Sequence, residues 1–220
     1  MLLCVVMAGS IFAARRVYYQ QRKQTPAPII TRSEASAMKI QNIRPEAGSG
    51  SATFDVVNVS STPVTGFQVH SGMYNAFFDA GFMDTVIAPG AHHTLTMSIQ
   101  DGAPLTLDAV TLQGDKYLGD AVVIAKIKAI RLGHIKGAQL VREALSRSLN
   151  VAAQKTALSA VQVDEHRFPN RDVFTGVQQV FQIAGGELDK IETFANQSNQ
   201  AAVEAKTTWL NEWLNRKADQ

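Results

Sequence analysis

At Asp120 the spacing of apolar residues changes from every second position to every third or fourth, and no single kind of element accommodates both patterns. Before that point the alternation is that of short, half-buried β-strands. Met38, Ile40 and Ile43 run as one strand up to Pro45, and Gly48-Ser49-Gly50-Ser51 makes a flexible turn. Phe54 and Val56 lead through Ser60 to Ser61-Thr62-Pro63, after which Val64, Phe67 and Val69 begin another strand. Ala88-Pro89-Gly90 and Asp101-Gly102 bracket an alternating run at Leu95, Met97 and Ile99. Leu105, Leu107, Val110 and Leu112 form the last run before Gly114-Asp115. Short strands separated in this way by turn residues predict an antiparallel sandwich.

Beyond Asp120, Val123, Ile127, Ile130, His134 and Val141 mark one face of a helix, and Lys126, Lys128, Arg131, Lys136, Arg142 and Arg147 make it strongly basic. Gly133 and Gly137, one turn apart, fit either a local break or the close approach of another backbone. A second helix is predicted from Asn150 to about Val163, ending before Phe168-Pro169-Asn170. A third begins near Arg171, with Gly185-Gly186 expected to break or bend it, and the helical pattern resumes from Glu187 to Lys217. The fold class is therefore α+β, with sheets first and helices after.

The N-terminus constrains location more than fold. Met1 to Ala14 is almost entirely apolar or small, and Arg15, Arg16, Arg22 and Lys23 follow it. Spanning a bilayer as helix takes about 20 apolar residues, and this run is nearer the roughly 7 to 15 of a signal-peptide core. The charges lie behind the core, the reverse of an ordinary signal. Three readings fit: a frame that starts late and lacks its basic leader, a short anchor extended by Val17, Tyr18 and Tyr19, or an apolar helix packed on the body. The first is preferred and places the body outside the cytoplasm, periplasmic or secreted; the anchor reading associates it with a membrane through residues 1–19 and, by the positive-inside rule, leaves the body inside the cell. The only cysteine, Cys4, lies in this segment, so the body is expected to carry no disulfide. The domain reading is thus 1–19 signal peptide or anchor, 20–36 linker bearing Pro26 and Pro28, 37–120 sandwich and 121–220 helical region.

The segment Phe54-Asp55-Val56-Val57-Asn58-Val59-Ser60-Ser61-Thr62-Pro63-Val64, followed by Ile87-Ala88-Pro89-Gly90 and an alternating strand, resembles the immunoglobulin-like β-sandwich modules of bacterial envelope proteins. Leu112 to Asp120 resembles the closing strand and turn of such proteins where the sandwich runs into a helical tail, with Gly114 and Asp115 in reversed order. The resemblance covers residues 37–120. It implies an immunoglobulin-like sandwich serving as a binding or spacer module with a protein partner in the envelope, and it supplies no catalytic residue.

The sequence displays no Gly-x-Ser-x-Gly elbow, phosphate-binding Gly-x-x-x-x-Gly-Lys loop or dinucleotide fingerprint, which argues against acyl-transfer and nucleotide enzymes. His92 and His93, with His70 and Asp79 or Asp84, are the candidate metal set of an alternative, enzymatic reading. Adjacent residues of a strand point to opposite faces, so a strand start in solvent explains the pair better. No metal, cofactor or nucleic-acid partner is expected. The overall charge of +2 conceals an uneven distribution: residues 31–120 hold four basic and nine acidic side chains, residues 121–220 thirteen and ten. The basic helix over 121–149 is therefore either a solvated or anion-binding face or one docked on the acidic sandwich. Its lack of aromatic residues disfavours single-strand stacking.

Between Ser71 and Asp84, Met73, Tyr74, Phe77, Phe78 and Phe82 gather beside Gly72 and Gly81 in what reads as a loop. Aromatic side chains bury large areas with few rotors, so this cluster is either a recognition loop or part of the core. The functional expectation is a non-catalytic envelope interaction or scaffolding protein that makes contact through these residues.

Overall fold

The computed structural model describes residues 29–80, 85–147 and 150–219, so residues 1–19, with Cys4, lie outside the described residues, as do Phe82 and Asp84. The chain is α+β. Its strands are β1 (Thr31–Ser33), β2 (Met38–Glu46), β3 (Ser51–Asn58), β4 (Val64–Ser71), β5 (Tyr74–Asp79), β6 (His92–Ser98), β7 (Leu105–Leu112) and β8 (Lys116–Gly119). The helices are α1 (Ala121–Ser146), α2 (Val151–Ala160), α3 (Arg171–Asn196) and α4 (Gln200–Ala218), with a short 3-10 turn at Glu165–Arg167.

Two sheets form. One has the order β1-β7-β4-β5, with β8 also on β7; the other is β2-β3-β6. β7 is the central strand. One edge pairs with β4, while the other pairs with β1 through Leu105–Leu107 and with β8 through Ala109–Leu112. The β1 pairing is parallel, so the first sheet is mixed rather than wholly antiparallel as expected. The strand Thr31–Ser33 comes from the stretch that reads as a connector. Its side chains are exposed and carry no alternation, and it is held in place by Leu105 N–H donating to the Ile30 carbonyl and Glu34 N–H donating to the Leu107 carbonyl.

The two sheets share one apolar core. Met38, Phe54 and Val56 from the smaller sheet meet Phe67, Val69, Leu105 and Leu107 from the larger, all fully buried. Each such side chain contributes about 1.5–3 kcal/mol through the apolar surface it removes from water. The strands expected at β2, β3, β4, β6 and β7 are all present; β6 shows the expected alternation, whereas β7, paired on both edges, is buried at every position. The stretch from Ser71, however, is a hairpin rather than a loop: Gly72 sits first in a two-residue turn with φ +58°, and the chain returns as β5 along β4. The run of aromatic residues hid its strand period.

Each helix begins behind an Asp or Asn whose side chain accepts from the backbone N–H groups of its first turn: Asp120, Asn150, Asn170 and Asn199. The close-approach reading of Gly133 is the one realised. A Cβ at Gly133 would fall 2.1 Å from the Val173 carbonyl oxygen, and one at Gly176 would fall 2.1 Å from that of Ile130, so α1 and α3 touch backbone to backbone. Gly185-Gly186 neither breaks nor bends α3 out of helical hydrogen bonding. The interruption falls later, at Gln197 to Asn199, where Ser198 takes φ +57°. A second core lies among the helices, around Val141, Val180, Leu188, Trp213 and Leu214. Lys155 clamps α2 to α3 through Asp189 (2.7 Å) and Glu192 (2.6 Å). Glu187 on α3 draws in Lys190 (2.6 Å) and, from α4, Lys206 (2.9 Å). No helix among the described residues is long and apolar enough to cross a membrane.

Candidate functional site

Strand β5 carries chemistry at both of its ends. At its start, the β4–β5 turn leaves Met73 77% and Tyr74 42% exposed. Gln100 anchors this tip: its Oε1 accepts from Met73 N–H at 3.1 Å, and its own N–H donates to Ser71 Oγ at 3.2 Å. β5 is also the last strand of its sheet, leaving its outer edge unpaired among the described residues. Of the sequence-predicted contact residues, Met73 and Tyr74 are at the tip and Phe77 is half-buried along the strand. Phe78 is buried in the core, stacked on Phe67 with ring centroids 5.3 Å apart and 4.4 Å from the His93 ring. The cluster thus divides between surface and core, with burial rising along β5 from the exposed tip at Tyr74 to the buried Phe78 and Asp79.

At its other end β5 delivers Asp79, 4% exposed, to the junction with the helices. Arg131 of α1 meets it with a two-pronged contact, Nε donating to one carboxylate oxygen at 3.2 Å and Nη2 to the other at 2.9 Å, while Nη2 also donates to the Thr65 carbonyl at 3.0 Å. Gly66 makes room, since a Cβ there would lie 3.0 Å from that same Nη2. One turn further along α1, His134 is buried, with Nδ1 3.7 Å from Asp79 and Nε2 2.7 Å from Gln179 Oε1 on α3. Burial disfavours the charged imidazolium and outweighs the help of Gln179 and Asp79, holding this histidine below its ordinary value. It is therefore neutral at neutral pH, with Nε2–H donating to Gln179. Lys217 of α4, 3% exposed, completes the charged junction.

Around these groups is a cleft of about 690 Å³, lined from the sheets by Thr65, Asp79, Ala80, the Leu112–Asp115 turn and Tyr117, from the β5–β6 connection by Val86, and from the helices by Lys128, Arg131, Leu132, His134, Ile135 and Lys217. The Lys128 ammonium sits 4.5 Å from the centroid of the Tyr117 ring. Arg142 pairs with Asp219 and Arg147 with Glu143. The basic helix thus docks on the acidic sheets through Arg131, and two more of its six basic side chains, Arg142 and Arg147, meet carboxylates.

Among the described residues the candidate metal ligands do not form a cluster, and Asp84 lies outside them. His70 turns outward to Asp108, its Nδ1 2.6 Å from the carboxylate, at a bulge in β7 where Gln68 also reaches that carboxylate at 3.3 Å. Burial raises the Asp108 carboxyl above its usual value despite the pull of His70. His93 points inward against Phe78 and is shifted down by burial, whereas His92 lies on the exposed face. Among the described residues no group of three or more His, Cys, Asp or Glu side chains comes together as a metal site requires. The sequence puts Arg131 and His134 on the same helix and Asp79 among the acidic residues, but their meeting requires the β4–β5 hairpin, whose aromatic run masks its strand period. Comparison with protein-family models, curated proteins and solved structures returns no match.

Proposed function

We propose that this chain is a non-catalytic interaction or scaffolding module, an immunoglobulin-like sandwich with a helical tail, that works in the bacterial envelope and holds a protein partner at the β4–β5 tip. The observation that carries this reading is the exposure of Met73 and Tyr74 on a turn that Gln100 holds in place. Methionine and tyrosine offer large contact areas, and a tip already ordered loses little conformational freedom when it is covered. The unpaired edge of β5 adds main-chain donors and acceptors that a partner strand can use.

The test is a photo-crosslinking side chain placed at Met73 in native cells, with and without Tyr74→Ser. A discrete product that Tyr74→Ser removes is the expected result; random labelling, or a product indifferent to Tyr74, overturns the reading. The extracytoplasmic placement is tested separately by cell fractionation and by sequencing the mature N-terminus: an end at or before Val17 fits cleavage, and an intact Met1 fits an anchor.

A further inference from the structure

Helix α1 leaves a different kind of surface in solvent from that of α3. Its exposed residues Ala121, Ala125, Lys128, Leu132 and Gln139 follow one another at spacings of four, three, four and seven, so they form one stripe, turned away from Gly137 and its close approach to Val177 of α3. Leu132 is 41% exposed, and Val122, in the first turn, is 78% exposed. The exposed positions of α3 include Arg171, Gln178, Gln182, Asp189, Lys190 and Thr193, polar and of both signs as a face open to water is expected to be. Charge along α1, by contrast, has a single sign. Between Ala121 and Arg142 there is no acidic residue, while Lys126, Lys128, Arg131, Lys136 and Arg142 are all present. Arg131 is matched by Asp79 and Arg142 by Asp219, whereas no carboxylate among the described residues pairs with Lys126, Lys128 or Lys136. Lys128 lies in the exposed stripe itself, and Lys136 follows Leu132 by one helical turn.

We infer that this face of α1 rests on an anionic phospholipid surface, with Lys128 and Lys136 at the phosphates and Val122 and Leu132 at the boundary between headgroups and acyl chains. Charge complementarity calls for a polyanion, and the exposed hydrocarbon decides which. A nucleic acid rewards the lysines alone, whereas a lipid interface also takes apolar side chains out of water. The acidic sheets are repelled by the same surface, which favours approach by the helix.

The test is an environment-sensitive fluorophore on the full chain, with Cys4→Ser and a single new thiol at Ala125→Cys or at Gln178→Cys. Both positions are exposed, and Gln178, two residues beyond Gly176, lies about 200° around α3 from the contact with α1. Arg15, Arg16, Arg22 and Lys23 also attract anionic lipid, so the label, rather than vesicle binding of the whole chain, carries the result. Vesicles containing phosphatidylglycerol are expected to shift the emission at position 125 to the blue and to leave position 178 unchanged. Lys128→Gln with Lys136→Gln is expected to raise the lipid concentration at the midpoint of that shift about twenty-fivefold, about fivefold per lysine. No shift at 125, equal shifts at 125 and 178, a midpoint moved less than about threefold by the lysine substitutions, or an equal shift at 125 with a DNA duplex in place of vesicles overturns the inference. Comparison of the two labels keeps the native lysines and does not depend on how the lysine variant folds.

Discussion

Between the sheets, large side chains meet, with Phe67 stacked on Phe78 at 5.3 Å; between α1 and α3 the side chains are absent at the crossing, and Gly133 and Gly176 bring the backbones together. The first arrangement spreads its stabilisation over many interdigitated groups and is sensitive to lost volume. The second depends on there being no volume at one point and is sensitive to any gain. Between the two regions lies a third kind of contact, in which a buried carboxylate from β5 is answered by a guanidinium from α1.

The largest effects come from removing volume. Phe67→Ala in the sheets and Trp213→Ala in the helices should each cost about 4 kcal/mol in denaturant melts. Both tryptophans, Trp209 and Trp213, are in α4, so tryptophan fluorescence reports on the helical region alone. If Phe67→Ala shifts the fluorescence midpoint as much as it shifts the far-ultraviolet circular dichroism, the two cores unfold as one unit; unequal shifts separate them.

Arg131→Met tests what joins them. It leaves Asp79 buried without its guanidinium and should cost about 3 kcal/mol, with hydrogen exchange rising in β5 and α1 before the interiors of either core. The double variant Arg131→Met, Asp79→Leu should recover most of that loss, and failure to recover would mean that the pair acts chiefly through Thr65.

Adding volume comes next. Gly133→Ala should destabilise by about 2 kcal/mol, because the clash with the Val173 carbonyl exceeds the roughly 1 kcal/mol that alanine gains in a helix. Gly186→Ala, where a Cβ meets nothing within 4 Å, should stabilise by up to about 1 kcal/mol. Opposite signs in thermal melts confirm that only the first glycine serves packing.

The smallest effect is a slope with pH. His134 titrates below the ordinary histidine value of about 6.5 in the folded chain because it is buried, facing Asp79 of β5, Gln179 of α3, Arg131 of its own helix and Lys217 of α4. Between 6.5 and the lower folded value, the unfolded chain takes up a proton that the folded one refuses. Stability therefore falls as pH falls through that window, by up to about 1.4 kcal/mol per pH unit from this one group. His93 in the sheet core is shifted in the same direction, so the check is the difference between the chain and His134→Gln, whose slope should be shallower.

Which parts could be read from the sequence follows from range. Most strands from Met38 to Leu112 and the helical character after Asp120 announce themselves because their period is local, and Asp120, Asn150 and Asn170 stand where the first three helices begin; the break at Gln197–Asn199 does not, because the helical period runs on through it from Glu187 to Lys217. Strand β5 was hidden because Tyr74, Phe77 and Phe78 supply surface and core from consecutive stretches of one aromatic run. β1 was hidden because its residues alternate in nothing, and only β7, more than seventy positions away, gives them an edge to join.

The site shows the same division. Composition alone determined that an acidic first half would be followed by a basic second half, and spacing alone determined which face of α1 carries Lys128, Arg131 and Ile135. That Asp79 is the residue Arg131 meets, that His134 is neutral, and that a cleft opens beside them were decided by how α1 packs on β7 and β8, within reach of the end of β5. Periodicity reports which side of an element is apolar, whereas a buried ion pair or a shifted histidine depends on what another element removes from water around it.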